Sequence, residues 1–79
     1  MMSNDLVRRF FDEECEPHVV RVLLSEMNAR SLGLTSFTFN VFNVTLDFDN
    51  SRVVIEDDLN PEGDAEVSLS EFRSELEQL

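Results

Sequence analysis

The chain has 79 residues, so a single domain, 1–79, is expected. Seventeen acidic residues face six basic ones, all Arg with no Lys, for a formal charge of −11. That balance argues against direct nucleic-acid or anionic-membrane binding, because too few cations are present to displace phosphate counterions. The apolar fraction of 42%, with seven Phe, argues against wholesale disorder. A body of this size buries only about 60–65% of its unfolded surface, so its core is thin.

In chain order, Ser3, Asn4 and Asp5 are good helix caps. Leu6, Val7, Phe10 and Phe11 follow at helical spacing. Asp5 can meet Arg9, and Arg8 can meet Asp12, each four residues on. Pro17 suits a first helical turn and damages an interior. The spacing therefore predicts two helices, 4–14 and 17–30, with one kinked helix as the alternative. Glu13, Glu14 and Glu16 fall near the positive end of the second helix. Val20, Leu23, Leu24 and Met27 supply its apolar stripe, and Gly33 its stop.

From Thr35 the period becomes two. Phe37, Phe39 and Val41 share one parity; Phe42, Val44, Leu46 and Phe48 take the other. The slip predicts a bulge or sharp bend near Val41–Phe42. Asp49–Asn50 signals a hairpin turn. Pairing across it puts Leu46 opposite Val53, Val44 opposite Ile55 and Asp47 opposite Arg52. Apolar and charged partners agree in one register. Residues 57–64 read as an acidic loop, with a short strand near Ala65–Val67. Ser68 and Glu71 have capping-box spacing, and Leu69, Phe72, Leu76 and Leu79 mark the buried face of a last helix.

The order predicts an α+β fold: an N-terminal helix or helix pair, an antiparallel β-hairpin or small meander with a bulge, and a C-terminal helix packed on one sheet face.

Few constellations carry chemistry. Cys15 and His18 could form half of a zinc site, but no second Cys or His exists to complete it within one chain. A buried thiol and a partly exposed His is the simpler reading. The lone cysteine rules out an internal disulfide and favours a reducing cytoplasm. No segment approaches the ~20 apolar residues of a membrane span, and the first residues lack a signal-peptide pattern. With two glycines there is no phosphate-binding Gly loop, and a pocket of the usual ~300 Å³ or more is not expected in so small a body. An enzyme is not expected, and no cofactor is implied.

Counting back from Glu71, residues Asn60, Glu62, Asp64 and Glu66 are spaced like the ligands of a calcium loop, with Val67 and Ser68 at its apolar and ninth positions. With Phe72 opening a helix, the stretch resembles the calcium loop and exit helix of an EF-hand. The resemblance implies calcium ligation by Asn60, Glu62, Asp64, Glu66 and Glu71. It departs at Asn60, where the family has Asp, and at Ala65, where it has Gly. The preceding Val53–Glu56 reads as strand rather than helix.

The remaining signal is the acidic surface. Asn43, Thr45, Asp47 and Glu56 are expected opposite the apolar face of the hairpin. Asp12, Glu13, Glu14 and Glu16 add N-terminal carboxylates. Asp47, Asp49, Glu56, Asp57, Asp58, Glu62, Asp64 and Glu66 are the expected partner-binding row. Such a row can imitate phosphates and fill a basic groove. In composition and size the chain is similar to the class of small acidic inhibitors that includes anti-CRISPR proteins and nuclease inhibitors. The expectation is an inhibitor that occupies a basic protein surface, on a nucleic-acid-binding protein or a toxin. The alternatives are an immunity protein or antitoxin, a degenerate EF-hand-like calcium module, and a halophilic structural or oligomerisation domain whose charge serves solvation. A homodimer through a strand edge at Phe37–Val41 is a further expectation.

Overall fold

A computed structural model describes the backbone of residues 5–79 and the side chains of 6–59 and 64–79. Expectations for Ser3 and Asn4 and for the side chains of Asp5, Asn60 and Glu62 lie outside the described residues. The element order is α1 (Asp5–Glu13), α2 (Pro17–Ala29), β1 (Leu34–Phe39), β2 (Phe42–Asp47), β3 (Arg52–Asp57), β4 (Asn60–Ser68) and α3 (Leu69–Glu77). The architecture is α+β: a four-stranded antiparallel meander in the order β1-β2-β3-β4, with the helices on one face.

Pro17 separates two helices rather than kinking one, because it occupies the first turn of α2, where its missing N–H is no loss. The α2 helix ends at Ala29, and Arg30 is already extended. Gly33 is therefore not the helix cap. Its φ of +88° serves the turn into β1.

The parity slip at Val41–Phe42 marks a chain reversal, not a bulge. Phe39 pairs with Phe42 across a two-residue turn, and Asn40 takes a φ of +58°. Asn tolerates that region better than most residues. The irregularity in the sheet lies between β3 and β4, at Glu56/Asp57. The β2–β3 register matches the sequence reading: Leu46 faces Val53, Val44 faces Ile55 and Asp47 faces Arg52.

The acidic loop expected at 57–64 is mostly strand. Only Asp58 and Leu59 turn; Asn60 then pairs with Asp57 and the ladder resumes at Asp64, with Ala65 opposite Ile55 and Val67 opposite Val53. β4 lies at the sheet edge, where proline is tolerated, so Pro61 did not forbid it.

The core sits between the sheet and the helices. Phe10 from α1, Val19, Leu23 and Met27 from α2, and Phe72 and Leu76 from α3 meet Phe42, Val44, Leu46, Val53 and Ile55 from the sheet. Phe10 is its centre: its ring lies 5.6 Å from Phe42, 6.1 Å from Phe72 and 5.8 Å from Phe11. Leu79, expected in the buried face of α3, lies beyond the helix end and is 65% exposed. Ser68 caps α3, its Oγ accepting from the Glu71 amide at 3.1 Å. The Glu71 carboxylate returns to the Ser68 hydroxyl at 3.0 Å.

A candidate interaction surface at the two-turn end of the sheet

Among the described residues no helix covers the outer face of the sheet. It presents Leu34, Ser36 and Thr38 from β1, Asn43, Thr45 and Asp47 from β2, Arg52, Val54 and Glu56 from β3, and Asp64, Glu66 and Ser68 from β4. A polar chain crosses it. Ser36 and Thr45 share a hydrogen bond of 3.1 Å, Thr38 donates to Asn43 at 2.8 Å, and Asn43 donates to Asp58 at 2.7 Å.

The two ends of the sheet treat their carboxylates differently. At one end lie the Phe48–Ser51 loop and the approach to β1. There Asp47 is 3% exposed and accepts from the Asn50 side chain (2.9 Å), the Asn50 amide (3.1 Å) and Arg52 Nε (3.0 Å). The Asn50 side-chain bond, with help from Arg52, holds its carboxyl below the usual aspartate range. Asp49 accepts from the Gly33 amide at 3.1 Å. Glu66 is 3.5 Å from Arg52, Glu26 pairs with Arg30, and Glu77 pairs with Arg73 at 3.2 Å. A cleft of about 520 Å³ opens here, larger than expected for so small a body. It is lined by Met27, Phe48 and Leu69, with Arg30, Arg73 and several serines at its rim.

At the other end the Asn40–Val41 and Asp58–Leu59 turns lie side by side, joined by a hydrogen bond of 2.8 Å from the Asp58 amide to the Val41 carbonyl. Glu56 and Asp64 occupy directly paired positions on the open face, both exposed. Asp58 stands beside them on the turn. Glu14 is drawn to the same end by Asn40, whose Nδ2 donates to it at 3.1 Å. Among the described residues, one guanidinium pairs with carboxylates at this end. Arg9 lies 5.4 Å above the Phe42 ring, 3.2 Å from Asp57 and 3.7 Å from Glu13. Asp57 itself is 6% exposed and accepts from the Leu59 amide at 2.9 Å, so it closes the turn rather than facing solvent. Leu59, 79% exposed, projects from the tip.

Of the predicted binding row, the structure brings Glu56, Asp58 and Asp64 together. Asp47 and Asp57 are buried structural groups, Asp49 faces the opposite end, Glu66 is paired, and the side chain of Glu62 lies outside the described residues. Glu14, 42 residues before Glu56, reaches the same end of the sheet through Asn40. The strand-end positions of Asp47 and Asp57 had a local signal: an Asp just before turn residues bonds its own backbone downstream. Among the described residues Arg8 and Asp12 form no ion pair; the ion pairs of α1 are those of Arg9 with Glu13 and Asp57.

In the stretch resembling a calcium loop, the side chains of two expected ligands, Asn60 and Glu62, lie outside the described residues. Residues 60–68 form β4, with Asn60 and residues 64–68 paired to β3, Glu66 turned to Arg52 and Glu71 to Ser68. Among the described residues no group of three or more His, Cys, Asp or Glu could hold a metal ion. Cys15 is half-buried, and burial, reinforced by Glu14, pushes its thiol up to about 12; a thiol held protonated is a poor nucleophile. His18 is exposed. Among the described residues no helix is long and apolar enough to cross a membrane.

Compared with protein-family models, curated proteins and solved structures, the chain matches none of them.

Proposed function

We propose that this protein is an acidic binding module that occupies a basic surface of another macromolecule in the cytoplasm, with the two-turn end as its contact. The supporting observation is the uneven compensation of charge. Three of the arginines pair off carboxylates at the loop end, whereas Glu56, Asp58, Asp64 and Glu14 at the turn end have no arginine partner among the described residues. Glu56 opposite Asp64 is a like-charge cross-strand pair, which works against folding. A cationic partner relieves that repulsion, so it binds the folded state in preference to the unfolded one. The exposed Leu59 supplies an apolar point amid the carboxylates, where a polar rim surrounds a desolvated contact. Two kinds of partner present such a surface: a nucleic-acid-binding protein, whose groove the module fills as a nucleic-acid mimic of the nuclease-inhibitor or anti-CRISPR kind, and a basic toxin, which it caps as an immunity protein.

The test is affinity capture from the native host, read by mass spectrometry, followed by titration of the captured protein at two salt concentrations. The expected partner is basic. Its affinity falls at least about tenfold between ~0.05 and ~0.5 M salt, because exposed charges are screened. The triple variant Glu56→Gln/Asp58→Asn/Asp64→Asn loses most of the binding. Affinity indifferent to salt and to the triple variant overturns the proposal.

A further inference from the structure

The two edges of the sheet are unequally protected. β4 carries Pro61, Glu62, Asp64 and Glu66, the residue types that blunt an edge against strand addition. β1, Leu-Thr-Ser-Phe-Thr-Phe over 34–39, has no charge, no proline and no bulge. It is the one strand of the four without a charged residue, in a chain of net charge −11.

The orientation of its backbone follows from one hydrogen bond. The Phe48 amide donates to the Gly33 carbonyl at 2.9 Å. In an antiparallel ladder such bonds alternate, so Gly33, Thr35, Phe37 and Phe39 address β2. The N–H and C=O groups of Leu34, Ser36 and Thr38 point outward from the sheet. Leu34 is 64% exposed and Leu32, just before it, 73%.

We infer that β1 is a self-association edge: two copies pair antiparallel along residues 34–39 about a twofold axis at Ser36, continuing the sheet across the interface. A second copy fits for reasons of register and charge. With Ser36 opposite itself, Leu34 faces the second copy's Thr38, and every outward group of one strand meets its complement on the other. On the helix-covered side Thr35 faces the second copy's Phe37. Phe39 faces Gly33, where open space surrounds the α-carbon; an aromatic ring over an edge glycine is a stabilising cross-strand pair. The antiparallel direction also sends the two acidic ends to opposite extremes of the assembly. It brings Arg30, at the approach to β1, toward the second copy's Asn40 and the Glu14 that Asn40 holds. The interface is isologous and closes on itself, leaving only the charged β4 edges exposed.

Sedimentation velocity of the whole chain at about 0.1 mM, well above a micromolar Kd, tests this. A dimer is expected, and its Kd tightens several-fold on going from about 0.05 to 0.5 M salt, because screening relieves repulsion between two like-charged bodies. Ser36→Glu sets a carboxylate against its own image at the axis. Ser36→Pro deletes an N–H that β2 does not use. Both variants are expected to be monomeric with an unchanged far-ultraviolet spectrum, while Ser36→Ala remains dimeric. A monomeric wild type, or a Ser36→Glu dimer as tight as wild type, overturns the inference. The opposite salt dependence separates this interface from the cationic-partner proposal, and Ser36→Glu is expected to retain that partner.

Discussion

The loop end and the two-turn end of the same four strands solve the same problem in different ways. At both, an aspartate at the end of a strand is nearly buried and ties down the turn that follows: Asp47 before Phe48–Ser51, Asp57 before Asp58–Leu59. Around Asp47, the neighbouring Glu26, Glu66 and Glu77 pair with Arg30, Arg52 and Arg73, and Asp49 is held by the Gly33 amide. Around Asp57 there is Arg9, and the acids beyond it go without arginine partners among the described residues. The local architecture of a turn therefore does not require surplus charge. One end carries five of the acids named above against three arginines and the other six against one, so the larger excess at the turn end is a property of the surface and not of the fold.

The largest effect expected on this comparison comes from beneath the acidic end. Phe10 is fully buried against Phe11, Phe39, Phe42 and Phe72, and it anchors the helix that delivers Arg9 and Glu14 to the turns. Phe10→Ala is expected to cost about 3–5 kcal/mol of folding stability, measured by denaturant titration. A loss below about 1 kcal/mol, the range of an ordinary surface change, would mean that α1 contributes little to holding the acidic end.

A smaller effect belongs to Asp47. Its carboxyl ionises below the ordinary aspartate range, chiefly because Asn50 and then Arg52 bond the charged form. The folded pKa is depressed, so the stabilisation is present above the unfolded value of about 3.9 and is lost as pH falls through the folded value. Asp47→Asn is therefore expected to lower the melting temperature at neutral pH, and the gap between variant and wild type is expected to close in acid below the folded pKa. A constant gap from neutral pH down to that range would show that charge is not what Asp47 contributes.

The sequence made some of this legible and hid the rest, for physical reasons. The β2–β3 register could be read because two independent partners, Leu46 with Val53 and Asp47 with Arg52, select the same alignment. The α1–α2 break could be read because proline leaves few alternatives. The β1–β2 turn was disguised: a parity slip of one residue marks a bulge or a reversal equally well, and only the pairing of Phe39 with Phe42 decides. β4 was hidden because its start, Asn60-Pro61-Glu62-Gly63, has loop composition, while the pairing to β3 that holds the strand runs mainly over 64–68. The acidic cluster was half visible. Glu56, Asp58 and Asp64 are close in sequence, but the arrival of Glu14 at the same end through Asn40, and the removal of Asp47, Asp49 and Asp57, depend on which turn lies next to which.

The smallest effect expected is the sharpest test of the contrast between the ends. Glu56 and Asp64 face each other on the open sheet with no arginine near them among the described residues. Like charges at directly opposed positions destabilise a sheet, so removing one is expected to stabilise this one. Glu56→Gln or Asp64→Asn should each raise stability by about 0.2–1 kcal/mol at low salt. The gain should shrink toward zero as the Debye length falls to about 3 Å near 1 M salt. The double variant should gain little beyond either single one, because each substitution already abolishes the repulsion between the pair. Denaturation midpoints of the two single variants and the double variant, at low and high salt, read out all three statements. Neutralising Glu66 at the other end should move stability the opposite way, since it gives up its contact with Arg52 at 3.5 Å. If Glu56→Gln and Glu66→Gln shift stability in the same direction, the two ends do not differ in compensation, and the acidic end loses its claim to be a surface kept charged for a partner.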